Sequence, residues 1–234
     1  MRAFETEKTE VAEIDRSVYD IKDKVNAAFE VNSGLTAEIV EQISKEKHDP
    51  DWMREFRLKA LDIYNKASIP NWGPSLEGLD MRNIVTYVRP NTEMRGKWSE
   101  VPDDIKNTFE RLGIPQAERS SLAGVGAQYD SEVVYHNVKE EVAAQGVVYT
   151  DMESALTGPY ADMVKEHFMK CVPPTDHKFA ALHGAVWSGG SFVYVPAGVH
   201  VDIPLQSYFR LNAPGAGQFE HTLIIVDKGA YLHF

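Results

Sequence analysis

Two short corners near the carboxyl end of the chain constrain its fold more than any other feature. Residues 195–199 read VPAGV and residues 226–230 read VDKGA, so each corner has Val first, Gly fourth and a small apolar residue fifth. Their glycines, Gly198 and Gly229, lie 31 positions apart. Short strands joined by repeated Gly corners are typical of coils that stack on one another, as in a parallel β-helix. The same pattern also allows an antiparallel sandwich or jelly roll.

The segment SYFRLN, residues 207–212, predicts a strand between these corners. Its alternation places Phe209 and Leu211 on one face, and Arg210 and Asn212 on the other. If the polar face is turned inward, the Arg210 guanidinium needs a carboxylate or an anion beside it. If that face is turned outward, Arg210 and Asn212 are ordinary surface residues. Periodicity alone does not distinguish the two orientations.

Most of the preceding sequence predicts helices. In residues 48–68, Asp49 is a candidate N-cap and Pro50 fits the first helical position. An apolar stripe with helical spacing follows, formed by Trp52, Phe56, Ala60 and Ile63. Similar patterns predict helices within residues 35–47, 101–113, 137–146 and 159–170, with a short strand at 147–151.

A change of composition predicts a domain boundary near residue 175. Only four of the 35 acidic residues and three of the 24 basic residues lie at 175–234. The boundary segment VPPTDHK, residues 172–178, contains two prolines that disfavour helix. The predicted organisation is therefore a flexible segment at 1–30, a mainly helical domain with short strands at 31–174, and the truncated start of a β-helix core at 175–234.

Charge and hydropathy exclude several classes of function. A net charge of −11 argues against non-specific binding to nucleic acid or to an anionic membrane surface. No run of 18 apolar residues is present, and the charged amino terminus lacks the apolar core of a signal peptide. We therefore expect a cytoplasmic protein with no membrane and no nucleic-acid partner.

Catalytic motifs are scarce. Cys171 is the single cysteine, and as a nucleophile it would need a nearby base, for which the sequence offers only His167 and the neighbouring Lys170. A small buried apolar side chain is the commoner role of such a cysteine. The segment LAGVGAQYDSE, residues 122–132, completes no nucleotide-binding fingerprint, and no Gly-x-Ser-x-Gly motif is present.

A metal site is the alternative hypothesis for the carboxyl-terminal strands. His200, Asp202 and His221 all lie on predicted strands, and a cupin-like β-barrel enzyme could gather them as nitrogen and oxygen ligands for iron, manganese or zinc. Metal-binding cupins normally have two His two positions apart, whereas the second position here is Asp202. The simpler interpretation places these polar residues on the solvent face of half-buried strands.

Five long segments resemble the SufB/SufD family of iron–sulfur cluster assembly scaffolds. They lie at residues 71–90, 121–141, 146–156, 177–199 and 204–230, and the resemblance runs from about Val31 to Phe234. It implies an α+β chain with a right-handed parallel β-helix. It also implies a scaffold, not an enzyme, that works with the ATPase SufC and with SufD or a second SufB. Such scaffolds accept sulfur from a donor protein and carry a transient iron–sulfur cluster.

The resemblance also bears on single residues. Arg210 and Asn212 match a family motif linked to function, which makes them candidates for the sulfur path, whereas Cys171 matches none of the family's functional cysteines. Family members are about twice as long, and their sulfur-accepting cysteine and SufC-binding helices lie beyond the position of Phe234. We therefore expect no cofactor on this chain alone and no assembly activity without the missing parts.

Overall fold

A computed structural model describes residues 27–73, 75–112 and 121–234, which form an α+β structure. The helices are α1 Ala37–Glu46, α2 Asp51–Lys66, α3 Asp103–Arg111, α4 Glu140–Ala143, α5 Met152–Thr157, α6 Ala161–His167 and α7 Lys178–Val186. The strands are β1 Ala27–Glu30, β2 Val88–Pro90, β3 Gly124–Tyr129, β4 Glu132–Val138, β5 Val148–Asp151, β6 Ser191–Val195, β7 His200–Val201, β8 Leu205–Arg210, β9 Leu223–Val226 and β10 Tyr231–Leu232. The predicted flexible segment lies outside the described residues except for 27–30, which form β1.

The strands form four small sheets. Two are three-stranded, in the orders β4-β3-β8 and β5-β6-β9, and two are pairs, β1-β2 and β7-β10. The pairs β1-β2, β3-β4 and β5-β6 are antiparallel, whereas β3-β8, β6-β9 and β7-β10 are parallel. In the described part of the chain these sheets do not close into a barrel.

Two of the three parallel pairs, β6-β9 and β7-β10, follow the repeat seen in the sequence. Phe192 pairs with Leu223 and His200 with Tyr231, so both β9 and β10 lie on strands 31 residues earlier. The corner glycines between them, Gly198 and Gly229, have φ angles of 74° and 71°, which glycine adopts at little cost. The Gly198 amide donates to the Lys228 carbonyl at 3.1 Å, which links one corner to the next.

Helix α2 forms as predicted, but its start and its buried face differ from the prediction. The N-cap is Pro50, not Asp49. Asp49 instead forms a buried ion pair with Arg57, whose Nε lies 2.6 Å from the carboxylate. Met53, Arg57, Ala60 and Leu61 are buried. Arg57 also donates to the Trp187 carbonyl at 2.8 Å. The buried face of α2 therefore includes a charged side chain and is shifted around the helix from the predicted apolar stripe.

Two glycines of the segment 122–132 have a packing role. A Cβ on Gly124 would lie 2.7 Å from Cδ1 of Tyr149, and one on Gly126 would lie 2.9 Å from its hydroxyl oxygen. The side chain of Tyr149 therefore lies against a strand that has no side chains at these positions. Its hydroxyl reaches the Gln206 carbonyl at 2.9 Å and joins the sheet of β3 to the sheet of β5.

Helices and strands are mixed on the amino-terminal side of residue 175. Strands β1 to β5 lie there, and strands β3 and β5 pair with β8 and β6 from the other side. The boundary near residue 175 remains a prediction. Within the described ranges, no helix is both long and apolar enough to cross a bilayer.

Candidate functional site

Arg210 and Asn212 lie at the carboxyl end of β8, and their face is turned toward the protein. Phe209 and Leu211 are 40% and 39% exposed, whereas Asn212 is buried and Arg210 is half-buried. Tyr208, two residues before Arg210, packs against the apolar cluster beneath β3. Because side chains two positions apart share a face of a strand, Arg210 points to the same side. At this end of the strand Phe209 and Leu211 are therefore the exposed residues, and Arg210 and Asn212 are turned toward the protein. Earlier in the strand both faces are covered, because Ser207, on the face of Phe209, contacts Tyr149 and Ser191.

Asp130 places a buried carboxylate next to the backbone of this face. Its Oδ1 accepts hydrogen bonds from the Asn212 amide at 2.6 Å and the Ala213 amide at 2.9 Å. Its own amide donates to the Arg210 carbonyl at 2.8 Å. Burial raises the pKa of the Asp130 carboxyl, although the two amides and the charge of Arg210 act in the opposite direction. Asp130 thereby fixes the backbone that carries Arg210 and Asn212.

A glycine-rich loop completes the environment of Asp130. Gln128 Oε1 accepts from the Gly190 amide at 2.8 Å, while its Nε2 donates to the Asp130 carbonyl at 3.0 Å. Gly189 and Gly190 have φ angles of 71° and 92°. A Cβ on Gly189 would collide with the Gln128 amide, so this close contact requires glycine.

A buried lysine continues the network on the other side of this loop. Lys47 Nζ lies 2.8 Å from both Glu132 and Glu153. Glu153 accepts from the Gly189 amide at 2.6 Å, and the Tyr87 hydroxyl donates to Glu132. These groups connect the end of α1, the start of β4 and the start of α5. We call Lys47, Gln128, Asp130, Glu132 and Glu153 the buried polar network.

The charges of this network stabilise one another. Burial disfavours the charged form of Lys47, but Glu153 and Glu132 outweigh that effect and raise its pKa. Burial acts against the Glu153 carboxylate in the same way, and Lys47 reverses it, so the pKa of Glu153 is lowered. Burial and the neighbouring Glu132 raise the pKa of Tyr87, which keeps its hydroxyl protonated as a donor. Lys47 and Glu153 are therefore charged although they are buried, because each has a partner of opposite charge.

The structure does not favour the alternative hypothesis of a cupin-like metal site, because it does not group His200, Asp202 and His221 as ligands. His200 and Asp202 are exposed, and the His200 ring lies beside Tyr231, 6.0 Å between centroids. His221 is partly buried and forms a 2.8 Å hydrogen bond with His183. Among the described residues, no group of three His, Cys, Asp or Glu side chains could hold a metal ion. Cys171 is exposed and contributes to the rim of a cleft beside this histidine pair.

Comparison with known proteins identifies the family. The family model for the SufBD protein N-terminal region matches residues 37–207. The chain belongs to this family. The iron–sulfur cluster assembly protein SufB of Bacillus subtilis is 53% identical over 216 residues, which cover 92% of this chain and 46% of that protein. A SufBD family protein of Mycobacterium tuberculosis strain H37Rv is 49% identical over 230 residues, 98% of this chain and 27% of the relative. The chain thus spans half or less of the length of these relatives.

As a SufBD-family chain, it carries site residues that sequence reasoning missed. Asp130 had a signal, because an Asp-Ser pair after the run GVGAQY marks a turn, and Asp tolerates its φ of 53° better than most residues. The sequence carried no such signal for Lys47 or Glu153. Each lies among other charged or polar residues, and only the tertiary packing shows that they are buried.

Proposed function

We propose that this chain contributes a non-catalytic scaffold to iron–sulfur cluster assembly. Its family membership carries the proposal, because the relatives named above are iron–sulfur cluster assembly proteins. The scaffold accepts sulfur from a donor protein and holds a nascent cluster in a complex with the ATPase SufC and with SufD or a second SufB. The complex acts in the cytoplasm, where an acidic chain with one exposed thiol meets reducing conditions.

The scaffold architecture is a right-handed parallel β-helix that begins at β6. Support comes from the three parallel strand pairs, two of which, β6-β9 and β7-β10, join positions 31 residues apart. Strands β6, β7 and β8 form one coil, and β9 and β10 begin the next. Such coils stack by backbone hydrogen bonds and bury a common core.

Arg210 and Asn212 lie on the sulfur path of this scaffold. A persulfide anion is stabilised by a cation and by neutral hydrogen-bond donors, which a guanidinium and a carboxamide provide. The inward direction of their face and the Asp130 carboxylate beneath it support this role, because both hold the two residues in fixed positions.

A chimaeric protein tests the proposal in a cell. Residues of Bacillus subtilis SufB that match this chain are replaced by the chain itself, and the chimaera is produced in cells depleted of their own SufB. We expect the chimaera to restore the activity of an iron–sulfur enzyme such as aconitase. The Arg54→Ala variant, which removes an exposed cation paired with Glu41, serves as the control for Arg210→Ala. A chimaera that accumulates at normal levels but restores no activity contradicts the proposal.

A further inference from the structure

A cleft opens beside helix α7 and strand β9, away from the buried polar network. Its volume is about 460 Å³, which lies in the range of small-molecule sites. The walls are mostly apolar and include Met169, Val172, Phe179, Leu223 and Ile224. The proposed scaffold role gives this cleft no task.

The polar end of the cleft is a pair of histidines. His183 Nε2 and His221 Nδ1 lie 2.8 Å apart, so one ring donates to the other. Burial, with a smaller effect of the Arg57 charge, lowers the pKa of His183 to about 4. Burial, with smaller effects of His183 and Arg57, lowers the pKa of His221 to about 3. Both rings are therefore neutral at pH 7. In the part of the chain that the structure describes, no other hydrogen bond is recorded for either side chain, and neither ring is completely buried.

The charge around the cleft differs from that of the whole chain. The chain has a net charge of −11, yet none of the described residues that line the cleft is Asp or Glu. Lys170, His167 and His177 lie at its rim instead. Two carboxylates contact lining residues without lining the cleft themselves: Glu220 accepts a hydrogen bond from the Thr222 hydroxyl at 3.1 Å, and Asp176 lies 3.8 Å from Nε2 of His177. An anion that enters the cleft thus meets a cation and imidazoles.

We propose that this cleft binds a small molecule with an apolar ring body and one acidic group. The ring body lies against Phe179, Leu223 and Ile224, and the acidic group lies beside Lys170 and the imidazoles. The volume suits a molecule of two or three rings, and the lack of lining carboxylates selects an anion over a cation.

A pair of dyes tests both halves of this proposal on the full chain. The anion 8-anilinonaphthalene-1-sulfonate and the uncharged N-phenyl-1-naphthylamine share one ring system and differ by the sulfonate. Fluorescence titration is expected to show saturable binding of the anion at one site per chain, at least about tenfold tighter than binding of the neutral dye. Equal affinities, or binding of the anion that does not saturate, overturn the proposal.

Two matched substitutions on β9 locate the site. Ile224 and Val226 share a face of the strand and are 39% and 42% exposed, but only Ile224 lines the cleft. Ile224→Glu is expected to weaken binding of the anion at least about tenfold, and Val226→Glu to change it by less than about twofold. Equal effects of the two substitutions contradict the assigned site.

A second pair of substitutions, at two lysines, tests the same site even if a variant of β9 fails to fold. Lys170 and Lys165 are both exposed, and only Lys170 lines the cleft. Lys170→Glu is expected to weaken binding of the anionic dye several-fold without weakening binding of the neutral dye, whereas Lys165→Glu leaves both unchanged. A Lys170→Glu variant that binds the anion as the unmodified chain does overturns the proposal.

Discussion

Asp130 combines an unusual backbone conformation with a buried carboxylate. Its φ of 53° lies in the left-handed region, where Asp is tolerated better than residues with larger side chains. Its Oδ1 satisfies two amides, those of Asn212 and Ala213, that water does not reach. The candidate sulfur path is therefore positioned by a residue that lies 80 positions earlier in the chain.

Replacing Asp130 tests this positioning role. Asp130→Ala leaves two buried amides without an acceptor, so we expect the free energy of unfolding to fall by about 2 to 4 kcal/mol in urea denaturation. Asp130→Asn keeps one acceptor oxygen and the tolerance for this φ, and should lose less than half as much. Equal stability of the alanine variant and the unmodified chain contradicts the assigned contacts.

The histidine pair predicts a dependence of stability on pH. The pKa values of His183 and His221 are lowered to about 4 and about 3 by burial, while the unfolded chain protonates its histidines near 6.5. The unfolded state therefore binds more protons below pH 6.5, and stability falls as the pH falls from there toward 4. Each group contributes a slope of up to about 1.4 kcal/mol per pH unit.

Urea denaturation between pH 7 and pH 5 measures this slope. The double variant His183→Gln, His221→Gln should show a smaller loss of stability over that range than the unmodified chain. His200→Gln, which removes an exposed histidine, should not change the slope. If the double variant loses stability as steeply as the unmodified chain, the pair is not the source of the effect.

At the scale of elements, the sequence predicted the segments with a clear period and missed those without one. Helices α1 and α3 and strand β5 lie where their patterns placed them. Helix α7 was missed because it is buried on nearly all sides, so its sequence KFAALHGAV shows no polar face. Strand β3 was missed because Gly124 and Gly126 replace the apolar residues that mark a strand, since the ring of Tyr149 occupies that space.

The sequence also could not predict which face of β8 is turned inward. Alternation separates Phe209 and Leu211 from Arg210 and Asn212 without naming the inner set. Hydrophobicity suggests that Phe209 and Leu211 are inside, yet they are exposed. The contact with Asp130 fixes Asn212 on the inner side. The position of Asp130 beside Asn212 depends in turn on the pairing of β3 with β8, which joins residues about 80 positions apart.

Lys47 joins three elements, and its replacement tests whether they depend on one cation. Glu132 and Glu153 are only 20% and 19% exposed, and Lys47→Met removes their cationic partner. We therefore expect the free energy of unfolding to fall by about 3 to 5 kcal/mol. Lys66→Met removes an exposed cation from Asp62 and should cost less than about 0.5 kcal/mol. Similar losses for both variants in urea denaturation contradict the central role of Lys47.

At the scale of the whole molecule, sheets connect the two sides of residue 175. Strands β3 and β5 come from the acidic, helix-containing part, and strands β8 and β6 come from the nearly neutral part. The buried polar network crosses the same line, since it reaches the loop at Gly189 and Gly190. A change on either side therefore affects the backbone that carries Arg210 and Asn212.

Sulfur transfer to a purified scaffold complex tests the central claim most directly. The chimaera with Bacillus subtilis SufB is assembled with SufC and SufD, and a donor protein loaded with radiolabelled persulfide sulfur is added. Because a charge-assisted hydrogen bond contributes about 1.5 to 3 kcal/mol, Arg210→Ala should slow label transfer at least about tenfold, with partial recovery in Arg210→Lys. Arg54→Ala should transfer label at the unmodified rate. Equal rates for Arg210→Ala and Arg54→Ala would contradict the assignment of Arg210 to the sulfur path.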